Sequence, residues 1–161
     1  GAEHANTACE MIADFAKILN PKFQINLVGV NFPTLLKELY SGRLTMYNTG
    51  WQVDFPDPHA WMSSLLLSNG TVGASYGINY QDFAQQVIDP LIEKGIGTVL
   101  PREREIIYQE LMKISHEHAI ALYLCQHQGY HIERDWIEGW YYHPLIPVGA
   151  FAGDFYEMYK K

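Results

Sequence analysis

The 161-residue chain is long enough for one domain with a real core, and 48% hydrophobic against 18% charged residues argues against disorder. A net charge of -7, with 11 scattered Lys and Arg, argues against a nucleic-acid or anionic-membrane surface, both of which need clustered basic side chains. No apolar run approaches ~18 residues, so no segment is suited to span a bilayer, and the opening Gly1-Ala2-Glu3 does not begin a signal peptide.

Aromatic residues make up 14% of the chain, with 4 Trp and 11 Tyr. They suit a packed core or a stacking surface for sugar or peptide. The 2 cysteines, Cys9 and Cys125, lie far apart, on an expected helix and an expected strand. Two buried free thiols are the favoured reading; a disulfide is not indicated by the spacing.

Thr7-Ala8-Cys9-Glu10 has the spacing of a capping box, which predicts Thr7 as the N-cap of a first helix. Ala8, Met11, Ile12, Phe15, Ile18 and Leu19 follow at helical spacing, and Asn20-Pro21 stops the run. The alternation from Phe23 to Leu27 predicts a strand over residues 23–30. Pro33 opens a short helix through Leu35, Leu36, Leu39 and Tyr40, closed by Gly42. Residues 44–49 read as a second strand. Strand, helix, strand in this order favours a parallel pair with a right-handed crossover, so the expected class is α/β.

The second strand runs into Gly50-Trp51-Gln52-Val53-Asp54-Phe55-Pro56-Asp57-Pro58, and a helix over residues 59–67 leaves it. Proline fixes φ and pushes the preceding residue towards extended geometry, so this loop is stiff. Ligands of open sheets bind beyond the carboxyl ends of strands, where Asp54 falls. Asp54 therefore reads either as a ligand-facing carboxylate or as a cap for the segment that follows. Asp57, ahead of Pro58, reads first as a helix N-cap. Trp51 reads equally as a pocket wall or as a core anchor beneath the loop, and Trp61 as core.

Residues 68–77, rich in Gly and small polar side chains, predict a mobile loop without the Gly-Lys-Ser/Thr ending of a phosphate loop. Residues 80–94 predict a helix with Phe83, Val87 and Leu91 inward and a kink or break at Pro90. Gly95-Ile96-Gly97 predicts a turn. Pro101 opens the clearest helix, over residues 101–117, with Ile107, Leu111 and Ile114 inward and Arg102, Glu103, Arg104, Glu105 and Lys113 outward. Residues 119–124 form a continuous apolar run that predicts a buried strand. The remainder reads as irregular or short-stranded, and there is no internal repeat, low-complexity tract or clear linker.

The run Gly-Trp-x-x-Asp-Phe-Pro-Asp-Pro resembles the signature of the peptide-type solute-binding proteins of ABC importers, extracytoplasmic family 5. Arg104 followed four residues later by Tyr108 is similar to the family's helix before its last inter-lobe strand. Trp140-Tyr141-Tyr142-His143-Pro144 and Asp154-Phe155 are similar to its closing segment. One departure is Ile120, where the family often has proline. The resemblance implies a type II periplasmic-binding-protein-like lobe, a mixed sheet flanked by helices. Residues 1–161 would form a single lobe, ligand-binding lobe II, of a larger two-lobed protein, with about 145–161 returning towards the other lobe. It implies oligopeptide binding without catalysis or cofactor, delivery to ABC permease subunits, and a full-length monomer. The implied location is periplasmic or extracellular, with lipid anchoring as a variant. On this resemblance Asp54 pairs with the ligand's α-amino group and Trp51 lines the pocket. An oligosaccharide ligand is the alternative within the family.

A metal-dependent hydrolase is the alternative from another class. His116, His118, His127 and His131 could together supply metal ligands, but no His-Glu-x-x-His run is present. Surface or capping histidines are the favoured reading.

Overall fold

The computed structural model describes residues 2–126, 130–142 and 155–161. Six α-helices carry these residues: α1 Ala2–Leu19, α2 Phe32–Tyr40, α3 Pro58–Leu65, α4 Ile78–Phe83, α5 Asp89–Gly97 and α6 Pro101–Glu117. None of the described helices is long and apolar enough to cross a membrane. The described strands are β1 Ile137–Glu138 and β2 Tyr159–Lys160, an antiparallel pair with Ile137 opposite Lys160.

α1 begins well before Thr7, which lies inside the helix rather than capping it. No breaker separates Thr7 from the preceding residues, and helix propagation costs little once a turn exists. The apolar stripe of α1 stays open, with Phe15 58% and Ile18 75% exposed.

α2 follows its sequence signals closely. Asn31 accepts from the Thr34 amide at 2.9 Å, and Pro33 occupies the first turn. Ser41 is the C-cap and Gly42 has φ 66°, so the Gly42 and Arg43 amides turn back to the Leu39 and Glu38 carbonyls. That geometry needs a residue without a Cβ penalty at position 42.

Residues 23–30, 44–49 and 119–124 form no strand among the described residues, contrary to the sequence expectation. Alternation makes a strand only where a neighbour supplies ladder partners, and no described segment lies beside these as a partner strand. Several of their apolar side chains are open instead, with Val28 80% exposed and Leu122 69%, while Ile120 packs against the core.

The core sits where the loop after α3, the long helical run from Ile78 and α6 meet. Leu66, Ile88, Ile92 and Leu111 are almost fully buried there. Each contributes about 1.5–3 kcal/mol relative to exposure. Residues 68–77 are a tight corner rather than an open loop. A Cβ on Gly70 would lie 2.2 Å from the Ser63 carbonyl oxygen, and one on Gly73 2.2 Å from that of Leu67. The Asp89 carboxylate clasps this corner, accepting from the Ser68 amide at 2.9 Å and the Ser68 hydroxyl at 2.5 Å.

The expected break at Pro90 takes a specific form. Residues Ala84–Ile88 make a π turn, and the Asp89 amide donates to the Ala84 carbonyl. Proline lacks an amide and its ring crowds the carbonyl four residues back, so the wider turn just ahead of it relieves both problems. The buried side is Ala84, Ile88 and Ile92, one position along from the expected stripe, with Phe83 and Leu91 packed at its edge and Val87 36% exposed. The helix also continues through Gly95-Ile96-Gly97, expected to be a turn, and ends where the Thr98 hydroxyl donates to the Lys94 carbonyl at 2.7 Å.

Candidate functional site

Local chemistry explains the corner between Trp51 and α3. Asp57 has extended geometry (φ -135°, ψ 138°), and Pro58 occupies the first helical position, where no amide is needed. The Asp57 side chain accepts from the His59 amide at 2.7 Å, which is the N-cap role its sequence context predicts. The Asp57 amide itself donates to the Phe55 carbonyl at 2.9 Å. Pro56 and Pro58 fix φ on both sides of Asp57.

The same carboxylate receives Arg104 from α6, 47 residues away in sequence. Nη2 donates to Oδ1 at 2.7 Å and Nη1 to Oδ2 at 2.9 Å. Nε donates to the Gly95 carbonyl at 3.1 Å and Nη2 to the Tyr108 hydroxyl at 3.3 Å. The guanidinium also lies 4.9 Å from the Tyr108 ring centre. A bidentate fork of this kind combines charge with fixed orientation. The Arg104 hydrogen bond holds the Asp57 carboxyl below the usual aspartate range; burial opposes the shift and the His59 amide adds to it. Burial pushes the Tyr108 hydroxyl up.

Contrary to the sequence expectation, Arg104 does not stand on the wet side of α6. It shares a face with Tyr108, Leu111 and Ser115, all of them buried. The spacing 104, 108, 111, 115 is itself a helical stripe, and extending the Leu111 stripe back by two turns was the signal that would have found it.

Asp54 opens the bend that leads to Asp57 and is exposed. It forms no hydrogen bond or ion pair with the described residues. Trp51 is half-buried, and its Nε1 is closed to solvent without a hydrogen-bond partner; His59 Nδ1 in α3 is in the same state. A buried donor or acceptor left in this way costs about 1–3 kcal/mol. Trp61, expected in the core, is 36% exposed.

An open groove of about 340 Å³ is walled by Pro58, Met62, Pro101, Arg104, Tyr108 and Met112. A separate cavity of about 280 Å³ is lined by Tyr47, Ser75, Tyr76, Tyr80, His118 and Ile120. Tyr47 and Ser75 share a hydrogen bond of 3.1 Å there, and burial raises the Tyr76 and Tyr80 hydroxyls well above the ordinary tyrosine value.

Among the described residues, the histidines are not brought together into a metal-binding group. His118 packs on the Phe83 ring with centroids 4.5 Å apart; His131 stacks on Trp140 at 3.9 Å and pairs with Glu133 at 2.9 Å. His127 lies outside the described residues. Among the described residues, no group of three or more His, Cys, Asp or Glu side chains is placed to hold a metal ion. Both cysteines are free: Cys9 is half-buried, with the Asn48 amide 3.4 Å from its sulfur, and Cys125 is exposed rather than buried. Of the tail at about 145–161, only residues 155–161 are described; there β2 pairs with β1, and Glu138 accepts from the Tyr159 hydroxyl at 2.9 Å.

No known family's sequence profile matches the chain, and no solved structure matches it. The chain is similar to a protein of Pseudomonas aeruginosa (strain UCBPP-PA14) described as "Di/tripeptide-binding protein 4", with 25% identity over 139 residues. The aligned region covers 86% of this chain and 25% of that protein, so the chain spans about a quarter of the length of this relative.

Proposed function

We propose that this chain is the ligand-binding lobe of a larger, two-lobed solute-binding protein that captures oligopeptides outside the cytoplasmic membrane for an ABC permease. Its fold in that setting is an α/β lobe of the type II periplasmic-binding-protein kind, with residues 23–30, 44–49 and 119–124 as strands of a mixed sheet completed by the rest of the protein. The action is binding and hinge closure, not catalysis.

The observation that carries this reading is the open Asp54 carboxylate, three residues from an Asp57 that is braced by proline and by Arg104. Asp57 is consumed by capping and ion pairing, whereas Asp54 keeps its acceptor capacity for a ligand. A peptide's α-ammonium group supplies the charge-assisted donors that such a carboxylate takes, and closure of a second lobe strengthens the pair by removing water. The similarity to a di/tripeptide-binding protein supports the same ligand class.

Isothermal titration of the full-length protein with di- to pentapeptides tests this directly. Asp54→Asn is expected to weaken peptide binding about 10- to 100-fold while leaving thermal stability almost unchanged, because the side chain is exposed. Residues 1–161 alone are expected to bind peptides weakly, since much of the enclosing surface lies elsewhere. A full-length protein that binds cellobiose-type sugars and ignores peptides overturns the peptide reading. The oligosaccharide alternative draws on the tyrosine-lined cavity, which offers ring faces and hydroxyl groups and no carboxylate.

A further inference from the structure

We propose that Arg104 is a positioning residue for ligand capture: its guanidinium fork holds Asp57, and through Asp57 it fixes the corner that presents Asp54. The inference rests on the peptide-binding reading, and it assigns the geometry of that site to a residue on a distant helix.

Three observations carry it. First, every nitrogen of the guanidinium is engaged, by both Asp57 oxygens, the Gly95 carbonyl and the Tyr108 hydroxyl. The corner is thereby referred at once to α5 and α6, the two most tightly packed helices of the core. Second, Asp57 stands between two prolines, and its amide turns back to the Phe55 carbonyl at 2.9 Å. Residues 54–58 therefore have few soft torsions, and a displacement of Asp57 is passed on to Asp54. Third, among the described residues Asp54 is exposed and makes no hydrogen bond or ion pair of its own that would hold it in place. Its position is inherited from the corner.

A lysine in place of Arg104 keeps the positive charge but cannot grip both carboxylate oxygens and the Gly95 carbonyl in one plane. Binding sites lose affinity when their supporting groups are loosened, because ordering then has to occur on binding. Asp57→Asn is the complementary variant. Asparagine caps a helix as well as aspartate does, so this change removes the ion pair and spares the cap.

The test is a double-mutant cycle in the full-length protein with trialanine as probe. R104K and D57N are each expected to weaken trialanine binding about tenfold, and neither is expected to weaken it further in a D54N background. In residues 1–161 without ligand, amide exchange at Asp57 and His59 is expected to be faster in R104K, with the circular dichroism spectrum retained. Equal losses in the native and D54N backgrounds, or unchanged exchange at Asp57 and His59, overturn the proposal. A native protein that binds no di- or tripeptide overturns the peptide reading instead, and the exchange measurement still decides whether Arg104 holds the corner.

Discussion

Asp57 shows how one side chain can serve two scales of structure. As an N-cap it satisfies the His59 amide, a local task set by Asp-Pro at the start of a helix. As the partner of Arg104 it ties that helix start to α6. The second task makes the site pH-sensitive in a definite direction. Its carboxyl is depressed in the folded state, first by the Arg104 hydrogen bond. A depressed carboxylate contributes stability above its unfolded pKa of about 3.9, and that contribution is lost as the pH falls through the folded value. Asp57→Asn is therefore expected to lower the melting temperature at neutral pH, with the difference from the native chain closing below about pH 4. Thermal melts at several pH values check this; a gap that stays constant into strong acid would remove the ion pair as its cause.

At the scale of elements, the contact between α5 and α6 depends on one missing side chain. A Cβ on Gly95 would meet the Tyr108 ring carbon Cζ at 3.0 Å and its hydroxyl at 3.1 Å. Tyr108 is buried and held by Arg104, so it has little room to give. Gly95→Ala is expected to destabilise the chain by about 1–3 kcal/mol through overpacking, less a gain of up to about 1 kcal/mol in helix propensity. Gly97, two residues on in the same helix, has nothing within 4 Å of such a Cβ. Gly97→Ala is expected to stabilise by about 0.5–1 kcal/mol. Urea denaturation of the two variants should move in opposite directions, and a common direction would show that propensity rather than packing governs this interface. The π turn before Pro90 belongs to the same level. The proline announces an interruption, while the form of the interruption is set by burying Ala84, Ile88 and Ile92 against α6.

At the scale of the molecule, a small helical core coexists with segments many of whose apolar side chains are exposed. Val28, Ile18 and Leu122 are each more than two-thirds exposed, and open apolar side chains are where a protein takes up apolar ligands or dyes. Residues 1–161 are therefore expected to bind the dye ANS in the folded state. Val28→Lys with Leu122→Lys should reduce that binding while changing the unfolding free energy by no more than about 0.5 kcal/mol each, as for other exposed positions. Dye titration with parallel denaturant melts tests both halves. A large loss of stability would show that these side chains are packed in solution.

The starts of α2 and α3 and the stop of α2 were legible because their causes are local, whereas the expected start of α1 at Thr7 and the expected turn at Gly95-Ile96-Gly97 were not borne out. Pro33 in the first turn of α2, Gly42 at its close and Asp57-Pro58 at the start of α3 each act within a few residues. The chemistry of Asp57 as a cap was readable in the same way. The alternation at 23–30 and the apolar run at 119–124 record a tendency that becomes a strand only against a partner strand, and none is present among the described residues. The Arg104–Asp57 pair likewise required the folded chain, because two side chains 47 positions apart meet only after the start of α3 has packed against α6. Local hydrogen bonding can be read from neighbours in sequence; ladders, ion pairs and buried faces depend on which surfaces the packed core sets side by side.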